Sequence, residues 1–296
     1  MARVQQARTF WKTLKSVSVG EVLNEARHPI AVALIGSPEE RQEAMRLLFP
    51  NRGREEALPE RSLIRAFDCA DAESGYPCED GSFDIVIDAR VSATAARPDG
   101  PVFAMQDIGG WERVIERILD QRPDLTLSLA RRFPGFRPEV AERIIKDTAV
   151  ANAEFAMLNA LPGVVPIIAP LLPAGAIGDI LMITKNQAMM LYRLAAIYNL
   201  PLDARARARD LAPLLSNALG WRALAREVVG IVPGGIGLAA RGAIAYAGTA
   251  ALGRALSRFY ATGQQITRAQ INRYYRESYG HAKEVVQQKM IARKRK

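Results

Sequence analysis

The chain has 296 residues, with 40 Lys/Arg against 31 Asp/Glu and a formal net charge of +9. An apolar fraction of 49% supplies a sizeable core and excludes a chain too polar to fold. The length suits one large domain or two ordinary ones. The only cysteines are Cys69 and Cys78, and the only histidines, His28 and His281, are far apart, so a His/Cys zinc site has no basis in the sequence.

The amino-terminal stretch "MARVQQARTFWKTLKSVSVGEV" lacks the apolar centre and small-residue cleavage site of a secretion signal. The expectation is therefore a cytoplasmic chain with free thiols. Val4, Ala7, Trp11 and Leu14 share one side of a short helix, with Arg3, Arg8, Lys12 and Lys15 on its polar side. Such a helix docks on a core or lies on a membrane surface. "IAVALIG", Ile30 to Gly36, is an unbroken apolar run typical of a strand buried on both faces. Ser37, Pro38 and Glu40 then predict a helix start with a capping box. "SLIRAFDCA", "SFDIVIDAR" and "GPVFAMQDIGG" are three further strands, and "WERVIERILDQR" is a helix after them. Strands alternating with helices predict a small, mainly parallel α/β layer.

From about Leu125 strand signals give way to alanine-rich helical periodicity. "ARRFPGFRP" is a turn between helices, with Phe133 and Phe136 expected inside and its arginines in solvent. "DILMITKNQAMMLYRLAAIYNL" is apolar nearly all round, except for a stripe of Asp179, Asn186 and Arg193 at seven-residue spacing. More helices follow, and the tail is a long polar helix with a basic end. The fold class expected is thus α/β plus all-α. Residues 1–28 form an amphipathic helix, 29–124 the α/β domain, 125–262 an apolar helical module and 263–296 a basic helix and tail.

No set of residues makes a convincing catalytic site. A phosphate loop needs glycine amides, a lysine and a hydroxyl. Aligned from Gly36, the chain instead places Arg41 at the second glycine, Gln42 at the lysine and Glu43 at the hydroxyl. Glu39, Glu40 and Glu43 add negative charge, and Pro38 removes an amide, so no nucleotide cofactor is expected there. Gly235, Gly237 and Ala240 fit a dinucleotide fingerprint, but no acidic residue follows about 20 positions on. Close helix packing is the better account of these small residues. Asp107 with Gly109 and Gly110 suits a turn, and Thr184–Gln187 lies inside a helical pattern.

Charge and the apolar run point elsewhere. From Thr184 onward there are 19 Lys/Arg and 5 Asp/Glu, whereas Met1–Ile183 hold 21 and 26. A basic carboxy-terminal half suggests an anionic partner, with lipid headgroups ahead of nucleic acid. Between Phe155 and Gly178 no residue is charged, yet Pro162, Pro166, Pro170 and Pro173 interrupt the run. A straight span would leave carbonyls unsatisfied in lipid. A re-entrant or surface-lying wedge, or burial in a helical bundle, is the expectation. Candidate membrane contacts are Trp11, Val164, Val165, Ile167, Ile168, Leu171, Leu172 and the terminal Arg293, Lys294, Arg295 and Lys296.

The segments "ANAEFAMLNALPGVVP", "GDILMITKNQAMMLYRLAAIYNL" and "VPGGIGLAARGAIAYAGTAALGRALSRFY" resemble the uncharacterised bacterial YcjF-like family over roughly Arg131 to Tyr260. The D-x-x-x-x-T-K-N-Q order carries much of the likeness. That resemblance implies association with the cytoplasmic membrane and an amino-terminal domain similar to a decayed Ras-like GTPase. It implies no particular reaction. The expected role is non-catalytic scaffolding or regulation on the cytoplasmic face of the inner membrane, with an anionic lipid surface and a protein as partners. The alternatives are a GTP-binding protein with a non-standard phosphate loop and a soluble nucleic-acid binder.

Overall fold

A computed structural model describes residues 19–50, 63–68, 82–90, 101–105, 110–158, 175–207 and 238–294. Contacts divide the chain into two compact units. One comprises residues 20–140 with 196–199, and the other 1–19, 141–195 and 200–296. Residues 125–140, where the sequence pattern already reads as helical, thus belong with the sheet.

In the first unit, α1 (Val19–Arg27) precedes β1 (Val32–Ile35), α2 (Pro38–Leu48), β2 (Ile64–Phe67), β3 (Ile85–Asp88), β4 (Val102–Ala104) and α3 (Trp111–Gln121). The four strands form one parallel sheet in the order β2-β1-β3-β4. Val32 lies opposite Ile64 on one side and Ile85 on the other. Every residue of β1 and β3 is buried, which explains their unbroken apolar sequences. β2 alternates less cleanly because it is an outer strand, with Arg65 and Ala66 exposed. The predicted capping box is present at α2. The Glu40 amide donates to Ser37 Oγ at 3.3 Å, and the Ser37 amide donates to Glu40 Oε2 at 2.8 Å.

After α3 come α4 (Thr126–Arg132) and a 3₁₀ turn at Pro134–Phe136. Phe133 and Phe136 are buried, and Phe133 packs edge-on against Phe49. The arginines here are not simply solvated. Arg131 donates to the Ala196 carbonyl at 3.0 Å, Arg132 to those of Arg27 and His28, and Arg137 to that of Ala130. They satisfy backbone acceptors where elements end, which local sequence periodicity cannot reveal.

The helical unit holds most of α5 (Arg137–Leu158) and α6 (Gly175–Ile197), and all of α7 (Leu238–Thr262) and α8 (Arg268–Lys294). α7 and α8 form a hairpin. Gly263 has φ of 68° and donates to the Phe259 carbonyl, ending α7 with a left-handed residue. Thr267 and Gln270 cap α8 reciprocally. Ala247 and Ala251 pack on Tyr275 between the two helices. Among the described residues, no helix is long and apolar enough to cross a membrane.

Three glycines test this packing. A Cβ at Gly135 would lie 2.1 Å from the Leu47 carbonyl oxygen, so Gly135→Ala should cost about 3 kcal/mol through forced backbone movement. At Gly253 the added carbon meets only side chains, Ile145 and Met190, and the gain in helix propensity offsets part of the clash. Gly280 faces open space in α8, and Gly280→Ala should stabilise by about 1 kcal/mol. Urea unfolding should rank the variants in that order.

Candidate functional site

Open parallel sheets bind ligands beyond the carboxyl ends of the strands, where the winding reverses. Here that point lies between β1 and β3, and it brings Gly36 beside Ala89. The Ala89 amide donates to the Ile35 carbonyl at 2.9 Å, and a Cβ on Gly36 would sit 3.5 Å from that of Ala89. Gly36 has φ of 152°, a conformation that favours glycine.

The chain's own charges occupy this edge. The Glu40 carboxylate takes the Ser37 amide, and its Oε2 would lie 3.2 Å from a Cβ on Gly36. An anion is thus already seated where the turn and the start of α2 offer a donor. Arg41 reaches back over the same turn. Its Nη1 donates to the Gly36 carbonyl at 2.8 Å, to the Phe67 carbonyl at 2.8 Å and to the Asp68 carboxylate. One guanidinium therefore joins the ends of β1 and β2. Of the four phosphate-loop positions, Gly36 and Arg41 are brought together. Gln42 and Glu43 are exposed on the outer side of α2, and Glu43 pairs with Arg46 at 3.0 Å.

A second ion pair closes the end of β3. Asp88 is fully buried, and Arg90 donates to it through Nε at 2.9 Å and Nη2 at 2.8 Å. Sequence reasoning missed this pair. The signal was available, since residues two apart on an extended chain face the same side. At the amino-terminal ends of the strands, Asp84 accepts the Ala31 amide at 2.9 Å and Arg122 donates to the Asp84 carbonyl at 2.6 Å. The hydrogen bond from Arg122 holds the Asp124 carboxyl below its ordinary range.

In the helical unit, buried polar groups join three helices. Asn152 of α5 donates to Thr249 of α7 at 3.0 Å, and Asn186 of α6 donates to Asn152 at 2.8 Å. Gln187 reaches Thr249 at 3.5 Å. The Thr184–Gln187 stretch thus contributes interhelical hydrogen bonds, and Asn186 of the predicted polar stripe faces a partner helix. Arg254 of α7 pairs with Glu142 of α5 at 2.6 Å and donates to Ser278 of α8 at 3.3 Å.

Among the described residues, no group of three His, Cys, Asp or Glu side chains could hold a metal ion. Trp11, Val164, Val165, Ile167, Ile168, Leu171, Leu172, Arg295 and Lys296 lie outside the described residues. The same holds for the Cys69–Cys78 pair and for Asp107, Gly109, Gly235 and Gly237. Arg293 and Lys294 fall at the end of α8, where only the backbone is described. Comparison with family models, curated proteins and solved structures gives no match for the chain.

Arg41 and its exposed partner should separate in mutagenesis. Asp68→Asn should cost less than about 1 kcal/mol, because the carboxylate is largely solvated. Arg41→Met, which strips donors from two carbonyls, should cost about 2 kcal/mol in chemical denaturation. Burial pushes the Tyr275 hydroxyl up to about 12, chiefly by desolvation. The folded protein then binds this proton more tightly than the unfolded chain, so stability is full below pH about 10 and falls as pH rises toward about 12. Tyr275→Phe should flatten that alkaline decline, as read by melts across the range.

Proposed function

We propose that this is a non-catalytic, membrane-associated protein that scaffolds or regulates others on the cytoplasmic face of the inner membrane. Its α/β unit is taken as a GTPase-like layer that no longer grips a nucleotide. One observation carries this reading: the phosphate position beyond β1 is filled by the Glu40 carboxylate and bridged by Arg41. A bound phosphate would meet a like charge there and would compete with hydrogen bonds already made.

The membrane half of the proposal draws on the helical module. From Thr184 onward the chain is strongly basic, with 19 Lys/Arg and 5 Asp/Glu, and an apolar run broken by four prolines precedes it. Basic surface beside apolar sequence favours anionic lipid. The parallel order β2-β1-β3-β4 is compatible with a GTPase-like layer and equally with other doubly wound sheets, so it carries no functional weight.

Two measurements on the full chain test the reading. Calorimetry with magnesium–GTP should give no binding heat, and saturable binding would overturn the closed-site claim in favour of the GTP-binding alternative. Sedimentation with vesicles containing about 30% phosphatidylserine should carry the protein down at low salt and release it at high salt. Protein left in the supernatant at low salt would overturn the membrane claim.

A further inference from the structure

The α7–α8 hairpin holds ten Lys/Arg and two Asp/Glu between residues 238 and 294, close to the whole protein's excess of +9. α7 has no acidic residue, and the two on α8 are Glu277 and Glu284. What makes this charge more than a bulk property is its arrangement around α8. Ile271, Tyr275, Ser278 and Ala282 are buried and mark the inward side. Arg268 and Arg276 are exposed, eight residues apart. Positions 283 and 294, both lysine, follow at intervals of seven and eleven. At about 100° per residue these intervals turn the helix by about 80°, then back by about 20° and forward by about 20°, so the four positions fall within one sector about 80° wide.

Asn272, Tyr279, Val286 and Met290 share that sector, which holds no acid. Both acidic positions lie on the other flank, where Glu277 approaches Arg273 at 3.7 Å. One flank of α8 is therefore uniformly basic and the other is mixed. From Arg268 to Lys294 the sector runs about 39 Å at the α-helical rise.

We propose that this flank of α8 is a docking face for the headgroups of an anionic lipid bilayer, with the helix lying along the surface. The inference rests on the membrane reading above and assigns to it a specific element. A helix flank about 39 Å long whose charges are all cationic matches a plane of negative charge, whereas a nucleic-acid duplex presents its phosphates along curved rails. The flank contains no run of large apolar residues that would drive deep insertion, so attachment is electrostatic. Tyr279 is half-buried and stacks on Tyr275 with ring centroids 6.2 Å apart, placing an amphipathic ring beside the cations as suits a headgroup layer. Arginines supply the described cations of the flank, and their planar forks pair with phosphate in two-point contacts.

The test compares two substitutions with the same change in net charge on the same helix. Arg276→Glu lies on the basic flank and Arg273→Glu on the mixed one. Both side chains are exposed, so both variants should keep the wild-type melt and helical spectrum. On vesicles of phosphatidylcholine with about 30% phosphatidylserine, Arg276→Glu should bind about tenfold more weakly than wild type and Arg273→Glu less than threefold. Equal losses for the two variants, or no loss for Arg276→Glu while wild type still binds, would overturn the docking face and leave the broader membrane claim standing. Failure of wild type to bind these vesicles at all would overturn that broader claim and this one together. Tighter binding of wild type to a 20-base-pair duplex than to the vesicles, with the same dependence on Arg276, would assign the flank to nucleic acid instead.

Discussion

A single guanidinium holds the working edge of the sheet closed. Arg41 spends one nitrogen on the carbonyls that end β1 and β2 and on the Asp68 carboxylate. The Gly36 carbonyl lies just past the last sheet pairing, and the Phe67 carbonyl also accepts the Gly36 amide at 3.3 Å. The contact depends in turn on the capping box, because Ser37 and Glu40 start α2 at the turn and so aim Arg41 back across Gly36. Glu40 serves both purposes, starting α2 and occupying the donor that an external anion would need. The buried Asp88–Arg90 pair repeats the solution one strand along. With two ion pairs spread over three adjacent strand ends, the edge is a structural seam.

The helical unit solves a different problem. Its buried helix faces are mostly small and apolar, and apolar faces alone permit sliding and rotation. The bonds among Asn152, Asn186, Gln187 and Thr249 select one register for α5, α6 and α7, because an alternative would strand buried polar atoms. Gly253 sits where α7 comes closest to Ile145 and Met190. On α8 the inward side carries Ile271, Tyr275, Ser278 and Ala282.

How much of this could be read from the sequence depends on the range of the interaction. The four strands were legible as apolar runs, and α2 through its capping box, because those signals are local. The buried Phe133 and Phe136 were expected, but the arginines beside them were expected in solvent. Their carbonyl partners lie up to 105 positions away, beyond any periodicity. The seven-residue repeat of Asp179, Asn186 and Arg193 gives a shared side of a helix but not what faces it, so the Asn152 partner of Asn186 was not legible. Arg41 was read only as a missing glycine. Two of its acceptors, Phe67 and Asp68, lie at the end of β2, and no motif at the loop announces them.

The sheet unit draws part of itself from late in the chain. Residues 196–199 belong to it: Ala196 accepts from Arg131, the Asn199 side chain donates to the Arg131 carbonyl, and Arg137 lies over the Tyr198 ring. During translation this unit cannot complete those contacts when its last strand leaves the ribosome. It must wait until α5 and α6 have also been synthesised, so the maturation of the two units is coupled in time by the order in which their residues emerge.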